Sequence, residues 1–116
     1  MIIKSLTNLE KVPVDMEGVK NAFRQTPISS KDGAPNFSIR VFTLEPDGHT
    51  PYHTHPFEHV NYVIEGEGAL VNEQGEEISL RKGDFALVNP EEKHQYRNKS
   101  ADKPFVFICA VPSKYE

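Results

Sequence analysis

Short apolar and β-branched runs alternate with turn residues from Phe37 onward, and this alternation restricts the possible fold more than any other feature. Proline presets φ and glycine permits a positive φ, so the clusters of Gly, Pro, Asn and Asp between the runs predict tight turns. Many short strands joined by tight turns are typical of a β-sandwich or a closed β-barrel, and they leave little room for helix. The predicted strands cover residues 38–45, 59–65, 68–72, 77–80, 84–88, 94–98 and 104–111.

The first thirty residues show a weaker pattern. Pro13 interrupts a possible helical turn there, and proline is not tolerated inside a helix. We therefore predict an N-terminal arm or added strand over residues 1–30 and a β-barrel domain over residues 31–116. Residues 19–28 would add a strand either to the same barrel or across a dimer, and the sequence leaves both possibilities open.

The last predicted strand is apolar on both faces between Phe105 and Val111. Such a strand has the core on one side and another sheet or subunit on the other. We predict a homodimer on this basis. A strand buried within a single barrel is the alternative.

Composition and charge exclude several classes of protein. The 116 residues suit one domain, and the net charge of -4, with both signs interleaved, offers no basic surface for nucleic acid. No apolar run approaches the roughly 20 residues of a membrane span, and no signal sequence is recognisable at the N-terminus. The single cysteine, Cys109, cannot form an internal disulfide. We expect a cytoplasmic protein without nucleic-acid or membrane partners.

Four of the five histidines are spaced as metal ligands would be. His53 and His55 are two residues apart, so on a strand both side chains point to the same side. His59 has the same parity at the start of the next strand, and His94 can join the group only if the sheet closes on itself. The sequence therefore predicts one metal site formed by His53, His55, His59 and His94.

Two nearby residues are assigned other roles. A histidine taken alone is more often a surface or hydrogen-bonded residue than a ligand, and His49, between Gly48 and Pro51, is predicted to be a solvated residue at the rim. Glu58 has the opposite parity to His59. We predict that Glu58 points outward and hydrogen-bonds the second nitrogen of a ligand rather than binding the metal itself.

The spacing of these residues is similar to that of the cupin superfamily. Gly48-x4-His53-x-His55-x3-His59-x6-Gly66 resembles the first cupin motif, and Gly83-x6-Pro90-x3-His94-x3-Asn98 resembles the second. The resemblance implies an all-β fold, the double-stranded β-helix or jelly-roll barrel, with the metal inside. The third ligand in the usual pattern is glutamate, whereas this chain has His59. In this respect it resembles the small manganese cupins with four histidine ligands.

Ligand chemistry and family resemblance predict different identities for the metal. Imidazole ligands favour zinc, copper, iron or nickel over manganese. The family resemblance implies manganese. We expect one divalent transition metal, with manganese the first choice.

Strand parity also indicates which side chains line the pocket. Asn61 shares a face with His59, Tyr96 shares one with His94, and Cys109 lies on one face of the last strand. Arg40 faces inward in one of the two possible orientations of its strand, where it could bind a substrate carboxylate; an exposed position or a salt bridge at the barrel end is the alternative. Their catalytic roles are not determined by the sequence.

Three functions are compatible with such a site. Four neutral ligands leave two positions on a six-coordinate ion, which suits a metal-dependent oxidoreductase of the dioxygenase type with a small organic substrate. Non-redox processing of a small keto acid or uronate sugar is the second possibility, although the small cupins of pectin breakdown carry glutamine where this chain has His59. The third is a non-catalytic module that binds a metal or small ligand, because a fold does not determine a reaction.

Overall fold

A computed structural model describes all residues from Met1 to Glu116 and shows an antiparallel sheet of nine strands that curls into a barrel. Three 3-10 turns, Leu6–Asn8, Ser30–Asp32 and Ser113–Tyr115, are its helical segments, and none is able to cross a membrane. The all-β, jelly-roll prediction is confirmed. The strands are β1 Val12–Pro13, β2 Lys20–Ile28, β3 Phe37–His49, β4 His59–Glu65, β5 Glu67–Val71, β6 Glu77–Arg81, β7 Phe85–Val88, β8 Gln95–Asn98 and β9 Phe105–Pro112.

The strand order shows how the sheet closes. Hydrogen-bonded neighbours run in the order β6-β5-β8-β3-β9-β4-β7, and β2 pairs with the other edge of β3. β3 pairs with β9 from Phe37 to Leu44 and then with β8 at His49. It changes partners after a bend in which Asp47 has a φ of 67°. The bend lets one strand belong to both halves of the barrel, which brings the ends of distant strands together.

The long β3 is the main difference from the predicted strands. The sequence predicts a strand end at residue 45 because Pro46, Asp47 and Gly48 form a turn-like cluster. In the structure β3 continues through this cluster to His49, with a register shift in its pairing with β2. A Cβ on Gly48 would lie 2.6 Å from the backbone oxygen of Asn21, so glycine permits the close approach of the two strands here. His49 therefore lies half-buried at a strand end rather than in a solvated loop.

β2 lies antiparallel to β3 of the same chain, with Ala22 opposite Leu44 and Gln25 opposite Val41. The side chain of Gln25 donates hydrogen bonds to the carbonyls of Leu6 and Leu9, which attaches the preceding segment to this strand. The division of the chain at residue 30 stays a prediction from sequence.

The hydrophobic core fills one end of the barrel. Phe105 and Leu44 are completely buried, and the ring of Phe107 stacks on that of Tyr96 at 4.4 Å between centroids. This aromatic pair continues toward the other end, where the barrel is open to a cavity. The core cluster consists of Ala22, Leu44, Val63, Leu80, Tyr96, Phe105 and Phe107.

Candidate metal centre

The four predicted histidines meet at the inner end of the cavity. The ligand atoms of His53, His55 and His94 all lie within 4.8 Å of one another. His59 joins them, because its Nε2 lies 3.2 Å from Nε2 of His94 and its ring centroid lies 5.0 Å from that of His55. The structure thus brings together side chains that are up to 41 residues apart in the sequence, from His53 to His94.

The backbone positions these histidines in two ways. His59 is the first residue of β4, whereas His53 and His94 form an isolated antiparallel bridge with hydrogen bonds of 3.1 Å in both directions. A strand was predicted for His53 and His55 from their spacing. They instead lie in an irregular segment between β3 and β4, and the bridge to His94 supplies the alignment that a strand would have given.

Hydrogen bonds define which ring nitrogen faces the cluster. Nδ1 of His55 lies 2.8 Å from the carbonyl oxygen of Phe57, and Nδ1 of His94 lies 2.8 Å from that of Glu92. A carbonyl oxygen only accepts, so Nδ1 carries the proton in both rings and Nε2 carries a lone pair. Each of these Nε2 atoms is therefore available to a metal.

Asn61 has the same effect on His59. Its Oδ1 lies 2.6 Å from Nδ1 of His59 and also accepts a hydrogen bond of 2.6 Å from the hydroxyl of Tyr96. Its Nδ2 donates to the carbonyl of Ile108, which fixes the orientation of the amide. Burial raises the pKa of Tyr96, so the phenol stays protonated and donates a hydrogen bond to Oδ1 of Asn61. Glu58 points outward, as predicted, but it bonds none of the histidines, so the predicted hydrogen bond from a ligand to Glu58 is wrong.

The arrangement fits a divalent cation. Two lone pairs, on Nε2 of His59 and Nε2 of His94, face each other at 3.2 Å. Without a positive charge between them this contact is repulsive. Metal–nitrogen bonds of about 2.0–2.1 Å hold two ligand nitrogens on one ion roughly 3 Å apart. The chemistry and spacing of the donor atoms therefore suit a transition metal.

Burial keeps His59 and His94 neutral, which is the form that binds metal. Desolvation lowers the pKa of His59 to about 3 and that of His94 to about 4, and it also lowers the pKa of His53. The hydrogen bond to Asn61 opposes the shift in His59, whereas the positive charge of Arg40 adds to it. The rings of His59 and His94 therefore stay unprotonated well below neutral pH.

The metal-free protein is expected to lose stability on acidification. Histidines of the unfolded chain titrate near 6.5, so the unfolded state takes up protons that His59 and His94 of the folded state refuse. Their contribution is fully present above pH 6.5 and falls as the pH drops toward 4, by about 1.4 kcal/mol per pH unit for each histidine. Urea unfolding of the metal-free protein at pH 7, 6 and 5 measures this. A His59→Gln variant should show a shallower pH dependence, and an equal slope in both proteins would contradict the assignment.

Replacing Asn61 by alanine is expected to weaken metal binding about 10- to 100-fold, because the ring of His59 and the hydroxyl of Tyr96 both lose their acceptor. Competition with a chromophoric chelator measures the affinity. Asn98→Ala is the matched control, since Asn98 is equally buried and bonds the carbonyls of Leu44 and Lys103 at the other end of the barrel. Equal affinities in the two variants would contradict a role for Asn61 in positioning His59.

The remaining predicted pocket residues also line the cavity, which has a volume of about 260 Å³. Arg40 and Phe42 face inward on β3, so of the two possible orientations of this strand the one with Arg40 inside is found. Tyr96 and Cys109 complete the inner wall. Mostly apolar walls with a few converging polar groups are typical of a site for a small molecule.

Several lining residues were not predicted from the sequence. Phe57 stacks on the ring of His55 at 4.0 Å, and Tyr115 stacks on Phe57 at 4.4 Å. Val14 and Met16 contribute a wall from the N-terminal segment, and Arg24 contributes one from β2. An alternation of apolar residues at positions 12, 14 and 16 was present in the sequence, but the interrupting Pro13 obscured it.

Fold and site together define a class: a double-stranded β-helix whose interior holds a histidine cluster suited to a divalent metal. Residues 40–111 match the family model described as the cupin domain, which is more than half of the chain. The chain therefore belongs to the cupin family.

Known proteins show what this cupin is similar to. A solved structure, the polyketide cyclase RemF from Streptomyces resistomycificus, has a TM-score of 0.92 and 28% sequence identity, covering 97% of this chain and 80% of that one. A gentisate 1,2-dioxygenase from a Streptomyces species is 28% identical over 106 residues, and gentisate 1,2 dioxygenase 1 from Aquipseudomonas alcaligenes is 33% identical over 58 residues. These matches cover 85% and 50% of this chain, but it spans only 28% and 16% of the two dioxygenases.

Proposed function

We propose that this cupin is a divalent-metal-dependent enzyme that cyclises a small, oxygen-rich substrate of the polyketide type. The observation that carries the proposal is a cavity with four convergent imidazoles at its inner end and aromatic walls around it. The likeness to a polyketide cyclase extends over 97% of the chain and therefore includes both the site and its walls. The likeness to the dioxygenases covers only a fraction of those longer proteins.

In this proposal His53, His55, His59 and His94 hold the ion, the last three through their Nε2 atoms. A bound divalent ion supplies a Lewis acid that draws electron density from a substrate carbonyl. The apolar walls, among them Phe42 and Phe107, exclude water and hold a conjugated chain in a folded conformation. Manganese is the metal we propose from the family resemblance, and zinc, iron, nickel and copper are the alternatives that imidazole ligands favour.

The test combines metal analysis with product analysis. The purified protein should contain about one metal ion per chain, and co-expression with an enzyme that makes a linear polyketide should change the pattern of cyclised products. His59→Gln, which leaves the fold with an amide at this position, should lose both properties, and His49→Gln serves as the control because His49 lies outside the cluster. Metal at full occupancy without any change in products would contradict the cyclase.

A dioxygenase is the second candidate, favoured by the two gentisate dioxygenase relatives. It differs from the cyclase in one measurable respect, because a dioxygenase consumes oxygen in step with its substrate. Oxygen uptake by the iron- or manganese-loaded protein with gentisate tests it directly. Uptake that is lost in His59→Gln would favour the dioxygenase, whereas cyclised products formed without oxygen would favour the cyclase.

We also propose that the protein is a homodimer, as the apolar last strand predicts. The outer face of the sheet beside β9 exposes Val60, Phe85 and Leu87, and Val60 lies directly opposite Leu87. A Leu87→Lys variant should be monomeric in light scattering where the wild type is dimeric. Ile78→Lys, an equally exposed apolar position on β6, should leave the dimer intact. A monomeric wild type would contradict this proposal.

The cytoplasmic location expected from the sequence stays a prediction.

A further inference from the structure

Arg40 is a partly buried cation whose hydrogen-bonding capacity is mostly unused. Its Nη2 donates to Sγ of Cys109 at 3.4 Å, and its guanidinium carbon lies 5.2 Å from the ring centroid of Phe42. Its Nε is buried and has no hydrogen-bond partner. A guanidinium has five N–H donors, and a thiol is a weak acceptor. The ion pairs of the structure join Lys4 to Asp32, Lys20 to Asp47 and Lys99 to Glu77, so none of them involves Arg40.

A second arginine faces the same cavity. Arg24 on β2 lies directly opposite Phe42 on β3, and both side chains line the cavity wall. Because Arg40 is two residues from Phe42, Arg24 is its diagonal cross-strand neighbour, a relation that places Cβ atoms about 7–8 Å apart. Arg24 also takes part in none of the ion pairs. Two like charges thus flank Phe42 on one wall.

The acidic side chain in the cavity lining, Glu116, forms no ion pair with either arginine. Glu116 accepts hydrogen bonds of 3.2 Å from the backbone N–H of Ser30, and it also accepts one from the Ser30 hydroxyl. A bound divalent metal would add further positive charge. The cavity therefore has the electrostatic character of a site for an anion.

We propose that Arg40, assisted by Arg24, forms a subsite for a carboxylate or ionised enol of the substrate, which lies flat against Phe42 with its other end at the histidine cluster. The planar fork of an arginine matches the two oxygens of a carboxylate, and such paired hydrogen bonds are stronger than neutral ones. The two Nη groups of the guanidinium supply these donors. The inference names the substrate class for the proposed enzyme and rests on that proposal for the reaction, but not for the binding.

Binding of two matched probes tests the subsite. In the metal-loaded protein, calorimetry should show that 2-hydroxybenzoate binds about 10- to 100-fold more tightly than 2-hydroxybenzamide, which has the same shape without the charge. Arg40→Met should remove this preference by weakening only the carboxylate, and Arg40→Lys should weaken it in part because an ammonium lacks the fork. Arg81→Met is the control, since it changes the net charge equally at an exposed position on β6.

Three results would overturn the inference. The first is equal affinity of the wild type for both probes, and the second is an equal loss of affinity for both probes in Arg40→Met. The third is a loss of carboxylate affinity in Arg81→Met as large as that in Arg40→Met. The second would mean that Arg40 only supports Phe42 and Cys109. Should Arg40→Met fail to fold, Arg40→Lys carries the test, with several-fold weaker carboxylate binding and unchanged amide binding as the expected result. If carboxylate binding depends on Arg40 but the protein is inactive in both the product analysis and the oxygen-uptake assay, the subsite is supported and the proposed enzymatic function is contradicted. If the protein is active in one of these assays but shows no preference for the carboxylate probe, the enzymatic function is supported and the subsite is contradicted.

Discussion

A His94→Ala variant is expected to lose most of its metal binding. Nε2 of His94 lies 3.2 Å from that of His59, and its ring lies 4.8 Å from the ring of His55 and 5.1 Å from that of His53, measured between centroids. Removal of this ring takes away a ligand that, like His55, has all three other histidine rings as neighbours. The loss should exceed the roughly 10- to 100-fold effect expected when a supporting hydrogen bond to a ligand is removed.

Metal content after dialysis against a buffered metal solution measures this prediction. His49→Ala is the matched control, because His49 is half-buried at the end of β3 but lies outside the cluster. The control should keep the wild-type metal content. If His94→Ala also kept it, the cluster would not be a metal site.

A Gly66→Ala variant is expected to be strongly destabilised, by about 3 kcal/mol or more. Gly66 joins β4 to β5 with a φ of 84°, and a Cβ there would lie 2.1 Å from the carbonyl oxygen of Pro104. The left-handed backbone conformation costs a non-glycine residue about 1–2 kcal/mol. The collision with rigid backbone adds to this cost, and relief would require the start of β9 to move.

Gly75→Ala separates the two contributions. Gly75 has a nearly equal φ of 81°, but a Cβ there would meet no atom within 4 Å. Urea unfolding should therefore show a loss of about 1 kcal/mol for Gly75→Ala, which reports the backbone strain alone. Equal losses in the two variants would mean that the Pro104 contact is relieved without cost.

Local patterns explain why so much of the barrel was predictable. The predicted strand at 59–65 is the observed β4, and the others differ by at most one residue at either end, except for β3. Most of these strands have Gly, Pro, Asn or Asp at or near an end, and the backbone preferences of these residues act over a few positions. β3 departs from its prediction because pairing with β2 and β8 outweighs the turn preference of Pro46 and Asp47.

The site was predictable in part for a similar reason. Histidine is rare and chemically distinctive, so the spacing of His53, His55 and His59 is visible without a structure, and the family resemblance adds His94. The residues that line the cavity walls were harder to predict from the sequence. Tyr115 reaches the cavity only because the last residues fold back onto Phe57, and Arg24 does so only because β2 pairs with β3. These contacts depend on long-range packing, for which single-residue patterns contain no information.

The location of His59 and His94 in different halves of the barrel has a consequence for folding. His94 immediately precedes β8, in one half of the barrel, while His59 begins β4, in the other half. An ion held by both would act as a cross-link between segments that are otherwise joined by the course of the chain. Binding to the folded state alone adds free energy to folding, about 4 kcal/mol when the free metal exceeds its dissociation constant a thousandfold. Metal supply in the cell would then govern how long the barrel survives as well as what it can do.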